Sequence, residues 1–455
     1  MDMSVEQSYI DIYNQMAEKV KAQSSAPLNA LRDDAMKAFA ERGFPTKKWE
    51  DFQRTDLKER YATNYGINLT QFNIDFNPYS AFKCDVQAIK SHLFFVVNDV
   101  FYCGDKRATD EIEALEKQGI IAGSLRQVAK QHPELVAKYY GKAAKWDVDT
   151  TVAFNTAFAQ DGFFIYVPKN VEIDCPIQII NVMNGDLDMM ATSRNLVIVE
   201  EGAKLQLLVC GHASKSFNYL CNRVTEAFIG NYATLEMYKL EDTEESVTNI
   251  GSLFIEQQAN SNVLVNEITL KNGFTRNNIN VNLLGEHAEL NLCGMAIGDG
   301  KKHIDNHTFV NHAVSHCKTN ELYKYILNEE SVGNFDGKIL VNKGSQKTEA
   351  YQSNRNIVVT PTAKMYTKPH LEIYADDVKC SHGATVGQLD KEALFYMQSR
   401  GIPEAEARML LMVAFANDVI ENIRIEALRT RMHMLVERRF RGESSACTSC
   451  SDLCK

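Results

Sequence analysis

The sequence predicts a mainly β protein, with a right-handed parallel β-helix or β-solenoid core flanked by N-terminal and C-terminal helical domains. Three observations carry that expectation. Apolar residues recur at helical spacing near both ends, and the middle of the chain alternates apolar with polar residues in short runs broken by Gly, Asn and Asp. Within that middle region, a small residue followed by alternating apolar positions recurs at Ala203, Ala233, Ser261, Ala288, Cys317, Gly337 and Ala363. The intervals are 30, 28, 27, 29, 20 and 26 residues. A period in this range, with strands in every unit and no long helix between them, favours stacked coils over the runner-up, a long β-sandwich.

Taken in chain order, Tyr9, Ile12, Tyr13 and Met16 repeat at helical spacing, and Leu28, Leu31, Met36 and Phe39 do so more loosely. Leu93 to Tyr102 interrupts this pattern with two β-rich runs around Asn98-Asp99, a hairpin signal. The strand-rich region includes NLVIVEEGAKLQLLV (195–209), NYATLEMYKL (231–240), SNVLVNEITL (261–270) and GEHAELNLCGMAI (285–297). Beyond Gly387 the chain reads as helical again. Asp390 suits the N-cap of a helix that Gly401 stops, Pro403 suits the first turn of the next, and a third runs from about Arg424 to Arg439. The expected units are a mainly helical domain with a small β element (1–147), the β-helix (148–386), a helical domain (387–441) and a cysteine-containing tail (442–455).

Composition narrows the function classes. The 455 residues are 45% hydrophobic and 24% charged, the balance of a folded soluble chain, and the net charge of -10 argues against nucleic acid as the main partner. No signal-peptide pattern opens the sequence. The longest apolar run, Met409 to Ala416, is far short of the roughly 20 residues that span a bilayer. A cytoplasmic location without membrane contact is therefore expected, with the eleven cysteines reduced and most of them buried as small hydrophobes. No GxxxxGK[ST], GxSxG, HExxH or GxGxxG motif is present, so a self-contained enzyme is not indicated.

Cys380-Ser381-His382 lies where the strand pattern gives way to helices. A thiol and an imidazole two residues apart share one side of an extended strand, and both are suitable ligands for iron or zinc. Two ligands do not make a site, and a buried cysteine beside a structural histidine is the bland alternative.

The residues around this pair carry a specific likeness. KCSHGATVGQLDKEALFYMQSRGI (379–402), with QKTEAYQSNRN (346–356) and TKPHLEIYADD (367–377) upstream, resembles the SufB/SufD family of iron–sulfur cluster assembly scaffolds. The likeness is on the SufD side, because SufB sequences typically place an Ile-Glu-His-Glu-Ala-Thr-like stretch where CSHGAT stands. GFPTKKWEDFQRTDL (43–57) is similar to the family's N-terminal element, although Phe52-Gln53 departs from its usual form.

That resemblance implies a non-catalytic scaffold subunit that pairs with a SufB-like paralogue and docks a SufC-like ATPase through its C-terminal helices. It implies His382, ahead of Cys380, at an interface where transient iron or a nascent cluster forms, with no tightly bound cofactor. Glu404 and Arg408 are candidate docking residues on the C-terminal helices. A homodimer in isolation is also expected, since an exposed solenoid edge needs a cover.

Two further groups remain. His303, His307, His312 and His316, followed by Cys317, form the densest histidine run. Their position inside the strand-rich region favours ladder histidines of a solenoid over a metal site. Cys447, Cys450 and Cys454 place three thiols in eight residues of the tail. They are either a reduced flexible tail or a transient iron or cluster site completed by an outside ligand. If the tail binds iron, truncation after Gly442 is expected to reduce iron and sulfide uptake in anaerobic reconstitution. Unchanged uptake would leave the tail without that role.

Overall fold

The computed structural model describes residues 4–67, 69, 76–82, 89–215 and 217–443. Its core is a β-solenoid of about eight turns. The chain passes alternately between two long sheets, so each strand pairs in parallel with the strand two further along. One sheet runs from Phe163–Val167 through Met189–Val199, Tyr219–Ile229, Val247–Gln257, Phe274–Leu283, His303–His312 and Val332–Val341 to Lys364–Ile373. The other runs from Ile177–Met183 through Lys204–Ala213, Thr234–Asp242, Asn262–Lys271, Glu289–Gly298, Lys318–Leu327 and Glu349–Val358 to Lys379–Gly387. Register steps from Lys204 through Thr234, Asn262, Glu289, Lys318 and Glu349 to Lys379 give coils of 27 to 31 residues.

The repeat has a local cause at one corner of each coil. Gly202, Tyr232, Asn260, His287, His316 and Lys347 all adopt left-handed backbone, with φ between 56° and 68°. The residue after each, namely Ala203, Ala233, Ser261, Ala288, Cys317 or Thr348, is at most 1% exposed. The left-handed residue turns the chain, and the next side chain falls into the closed corner, where only a small group fits. The first five markers of the sequence period are these corner residues. The last two are not: Gly337 lies inside the strand Val332–Val341, and Ala363 precedes the strand Lys364–Ile373 in the opposite sheet. Thr348 is the true sixth member. It is tolerated because its hydroxyl donates to Ser345 O at 2.9 Å.

Helices cover both outer faces. The N-terminal helices Val5–Gln23 and Arg32–Arg42, with Thr150–Phe158, pack an aromatic layer of Tyr9, Phe39, Phe44, Tyr61, Phe154 and Phe158 against Met190, Leu220, Ile250 and Phe274 of the first sheet. On the second sheet, Glu404–Ile420 and Glu426–Phe440 bury Ala416, Val419, Ile420, Leu428, Met432, Leu435 and Val436 against Leu240, Leu264, Ile268, Met295 and Ile326. Asp390 caps the preceding helix Lys391–Ser399 by accepting from the N–H groups of Glu392 and Ala393, and Gly401 ends it at φ +86°.

The two ends of the solenoid differ. At the first coil, His92–Val97 adds to the second sheet and turns at Asn98-Asp99, both with positive φ, into antiparallel Val100–Phe101. Ile121–Ser124 closes the first sheet in antiparallel fashion, and Leu115 and Ile120 at the end of helix Lys106–Glu116 join the main core. No described residue covers the last coil in this way.

The closed corner makes a stability test direct. Ala288→Leu is expected to destabilise by roughly 1–3 kcal/mol through overpacking, read as a lower urea midpoint. Asn260→Gly, which relaxes a left-handed residue at the preceding corner, is expected to leave that midpoint unchanged or higher.

Candidate functional site

The final coil consists of Lys364–Ile373 and Lys379–Gly387, each paired on one side only. Register places Cys380 on Ala350, His382 on Gln352, Ala384 on Asn354 and Val386 on Asn356. These four partners are at most 3% exposed, so Cys380, His382, Ala384 and Val386 continue the columns that face the solenoid interior. Among the described residues no further coil lies beyond, and the same columns meet solvent. Cys380 is half-buried against the core, whereas His382 is exposed. A Cβ added at Gly383 or Gly387 would meet nothing within 4 Å. Exposed Ile373, Tyr374, Tyr351 and Val386 surround this rim.

Beneath His382 the column continues through Gln352 to Glu321. Gln352 Nε2 donates to Glu321 Oε2 at 2.6 Å, and both side chains are buried. Gln352 Oε1 has no partner among the described residues, which leaves an acceptor one strand below His382. Burial pushes the Glu321 carboxyl up to about 7, against which hydrogen bonds give only partial relief. Partial burial likewise holds the Cys380 thiol above its ordinary value. The thiol is therefore protonated at neutral pH and becomes a thiolate only when a metal or base takes its proton. Sequence reading missed Glu321 and Gln352, although one signal was present. Glu321 falls in phase with inward Tyr323 and Tyr325 in KTNELYKYIL, where an apolar residue would be expected.

The histidine run is dispersed. His307 Nε2 lies 2.8 Å from the donor Arg276 Nη1 and 2.9 Å from Asp305 Oδ1, on the outer face of the first sheet. His303 is 3.4 Å from Thr55 Oγ1. His312 is buried beside Thr319, and His316 stacks on His287 at the corner, with ring centroids 5.0 Å apart. Cys317 is the buried corner residue below them, with its thiol donating to Gly285 O. Glu404 and Arg408 form an exposed i,i+4 ion pair at 2.9 Å on the helix Glu404–Ile420. Cys447, Cys450 and Cys454 lie outside the described residues.

The family model described as "SUF system FeS cluster assembly, SufBD core domain" matches residues 181–415, and that of the "SufBD protein N-terminal region" matches residues 3–179. This chain belongs to the SufBD family. A SufBD family iron–sulfur cluster assembly protein of Synechocystis is 29% identical over 87% of this chain and 87% of its own length. SufD of Bacillus subtilis is 24% identical over 96% of this chain and 99% of its own length, and SufD of Escherichia coli is 36% identical over 37% and 40% respectively. The chain is thus an iron–sulfur cluster assembly protein of the SUF system. Among the described residues, no helix is long and apolar enough to cross a membrane.

The raised Glu321 carboxyl has a signed consequence. The folded state holds this proton more tightly than the unfolded chain does. The associated stability is therefore present below the ordinary carboxyl value of 4.5 and is lost as pH rises through about 7. Between pH 4 and pH 8, Glu321→Gln is expected to gain about 3 kcal/mol relative to the parent chain. Urea midpoints at the two pH values check this, and parallel curves would contradict it.

Proposed function

We propose that this SufBD family chain serves as the SufD-type scaffold subunit of the assembly complex. It pairs through its uncovered final coil with a SufB-like paralogue, and its C-terminal helices dock a SufC-like ATPase. The observation that carries this reading is the asymmetry of the solenoid. One end is closed by its own hairpin and helix, and at the other no described residue covers the interior columns that end in Cys380, His382 and Val386. Such an end exposes unpaired strand edges and apolar side chains, which a second solenoid of similar cross-section would satisfy. Iron, sulfide or a nascent cluster is cargo at that junction, and no tightly bound cofactor is required. His382 supplies an exposed imidazole there, Cys380 a second donor once deprotonated, and the remaining ligands come from the paralogue. Nucleotide hydrolysis belongs to the ATPase, so the chain acts without catalysis of its own, in the cytoplasm. In isolation the same end pairs two copies of the chain.

Several features of the C-terminal helices fit a docking role. Lys391–Ser399 has no buried residue, and Phe395 and Tyr396 on it are 71% and 59% exposed. Glu404 and Arg408 present paired charge on the adjoining helix.

Co-purification of the co-expressed complex tests these assignments together. His382→Ala is expected to leave assembly intact while cluster maturation is largely lost; loss of both would make the residue structural. Val386→Asp is expected to weaken pairing with the paralogue, and the homodimer of the isolated chain, by about tenfold or more. Exchanging the charges with Glu404→Arg and Arg408→Glu preserves the helical pair and is expected to reduce ATPase recovery. Unaltered recovery would remove those two residues from the docking face.

A further inference from the structure

A second group of metal-ligating side chains sits at the opposite, closed end of the solenoid. His92 opens the strand His92–Val97, and Asp174 and Cys175 lie in the bend before Pro176 and the strand Ile177–Met183. The His92 N–H donates to Pro176 O at 2.9 Å, which pins the two segments together although 82 residues separate His92 from Asp174. One ligand atom from each of His92, Asp174 and Cys175 lies within 4.8 Å of the others. Because Asp174 and Cys175 occupy a bend rather than a strand, adjacent side chains converge here instead of pointing to opposite faces.

The arrangement around the imidazole is the informative part. His92 Nδ1 is 2.6 Å from Glu111 Oε2 on the helix Lys106–Glu116, and a carboxylate can only accept, so Nδ1 carries the proton. Nε2 then faces Asp174 Oδ1 at 3.3 Å. In a neutral imidazole these are two acceptors in contact, and they need a cation or a second proton between them. A tetrahedral zinc site holds N, O and S donors at about 2.0–2.3 Å, which separates neighbouring donors by roughly 3.3–3.6 Å. The His–Asp distance already falls there, and the Asp174 carboxylate already hydrogen-bonds the Cys175 thiol. A histidine whose far nitrogen donates to a carboxylate is also the usual support of a metal-bound imidazole.

We infer that His92, Asp174 and Cys175 bind one divalent transition-metal ion of zinc-like ligand preference, with Glu111 as the positioning carboxylate behind the histidine. The fourth position faces solvent on the side of Asp174, whose side chain is 59% exposed, and takes a water. Glu111, Asp174 and a Cys175 thiolate bring three negative charges, which the divalent ion and the neighbouring Lys90 balance. The proton leaving Cys175 passes to solvent as the metal–sulfur bond forms. This ion staples the first strand of the closing hairpin to the first coil. It lies at the other end of the solenoid from His382 and does not depend on the role proposed for that residue.

The test uses the full chain with Cys447, Cys450 and Cys454 changed to serine, so that tail thiols do not contribute. Anaerobic titration with Co2+ is expected to give one equivalent of bound cobalt. Its spectrum should show thiolate-to-cobalt charge-transfer absorption with tetrahedral ligand-field bands, both displaced by Zn2+. Cys175→Ser is expected to abolish the charge-transfer absorption, and Asp174→Asn, at an exposed position, to weaken binding with folding intact. Glu111→Gln is expected to keep the spectrum while weakening affinity by about 10- to 100-fold. Zn2+ is expected to raise the thermal midpoint of the parent but not of Cys175→Ser. No cobalt uptake would mean that His92 only bridges two carboxylates as an imidazolium, and the proposal would fall. A charge-transfer band unchanged in Cys175→Ser, or an affinity unchanged in Asp174→Asn, would equally overturn it.

Discussion

A coil of this solenoid cannot bury itself, and everything else in the molecule follows from that. Each strand has hydrogen-bond partners only because another coil lies above and below it, and each inward side chain is covered only by its column. The corner residues make the stacking repeatable. A left-handed residue turns the chain, and a small buried one lets the two sheets approach at the same level every time. The first coil has no predecessor, and a hairpin and a helix drawn from earlier in the chain take its place. Among the described residues the last coil has no successor, so side chains of the columns that are buried elsewhere become accessible there.

The helical layers are fixed to the solenoid by buried polar groups as well as by apolar area. Glu226 accepts from Arg194 at 2.7 Å and from the N–H groups of Gly141, Ala143 and Ala144. Arg276 donates to Asp305 at 2.6 Å and to the carbonyl of Asp51, and Arg32 donates to the carbonyls of Ala157 and Ala159. Buried ion pairs of this kind add little net stability after desolvation. Their effect is positional, because a shift of one register would leave a charge buried and unpaired. The N-terminal layer therefore sits on the first sheet in one register.

Much of this was legible in the sequence, for identifiable reasons. Corner residues must be small and must recur, so Ala203 through Cys317 showed the period directly. Thr348 escaped because its hydroxyl is satisfied locally, and a threonine is not read as small. Asn98-Asp99 announced its hairpin because two consecutive residues with positive φ favour that pair of side chains. That Cys380 and His382 share one side of a strand followed from their spacing. What sequence reading could not reach were the relations between coils. Gln352 and Glu321 join the His382 column only through register, 30 and 61 residues away. His92 meets Cys175 only because the strand that His92 opens and the strand that follows Cys175 are neighbours in a sheet.

One short segment joins the last strand of the solenoid to the C-terminal helices. The strand that carries His382 ends at Gly387, and the helix that begins the C-terminal helical unit starts at Lys391. Four peptide links span at most about 14 Å, so the helices cannot travel far without pulling on that strand. The strand in turn is held along one edge only, by Glu349–Val358. Lys391–Ser399 buries no residue of its own, so a displacement of that helix reaches the strand of His382 before it reaches the inner coils, on which the two longer helices are packed.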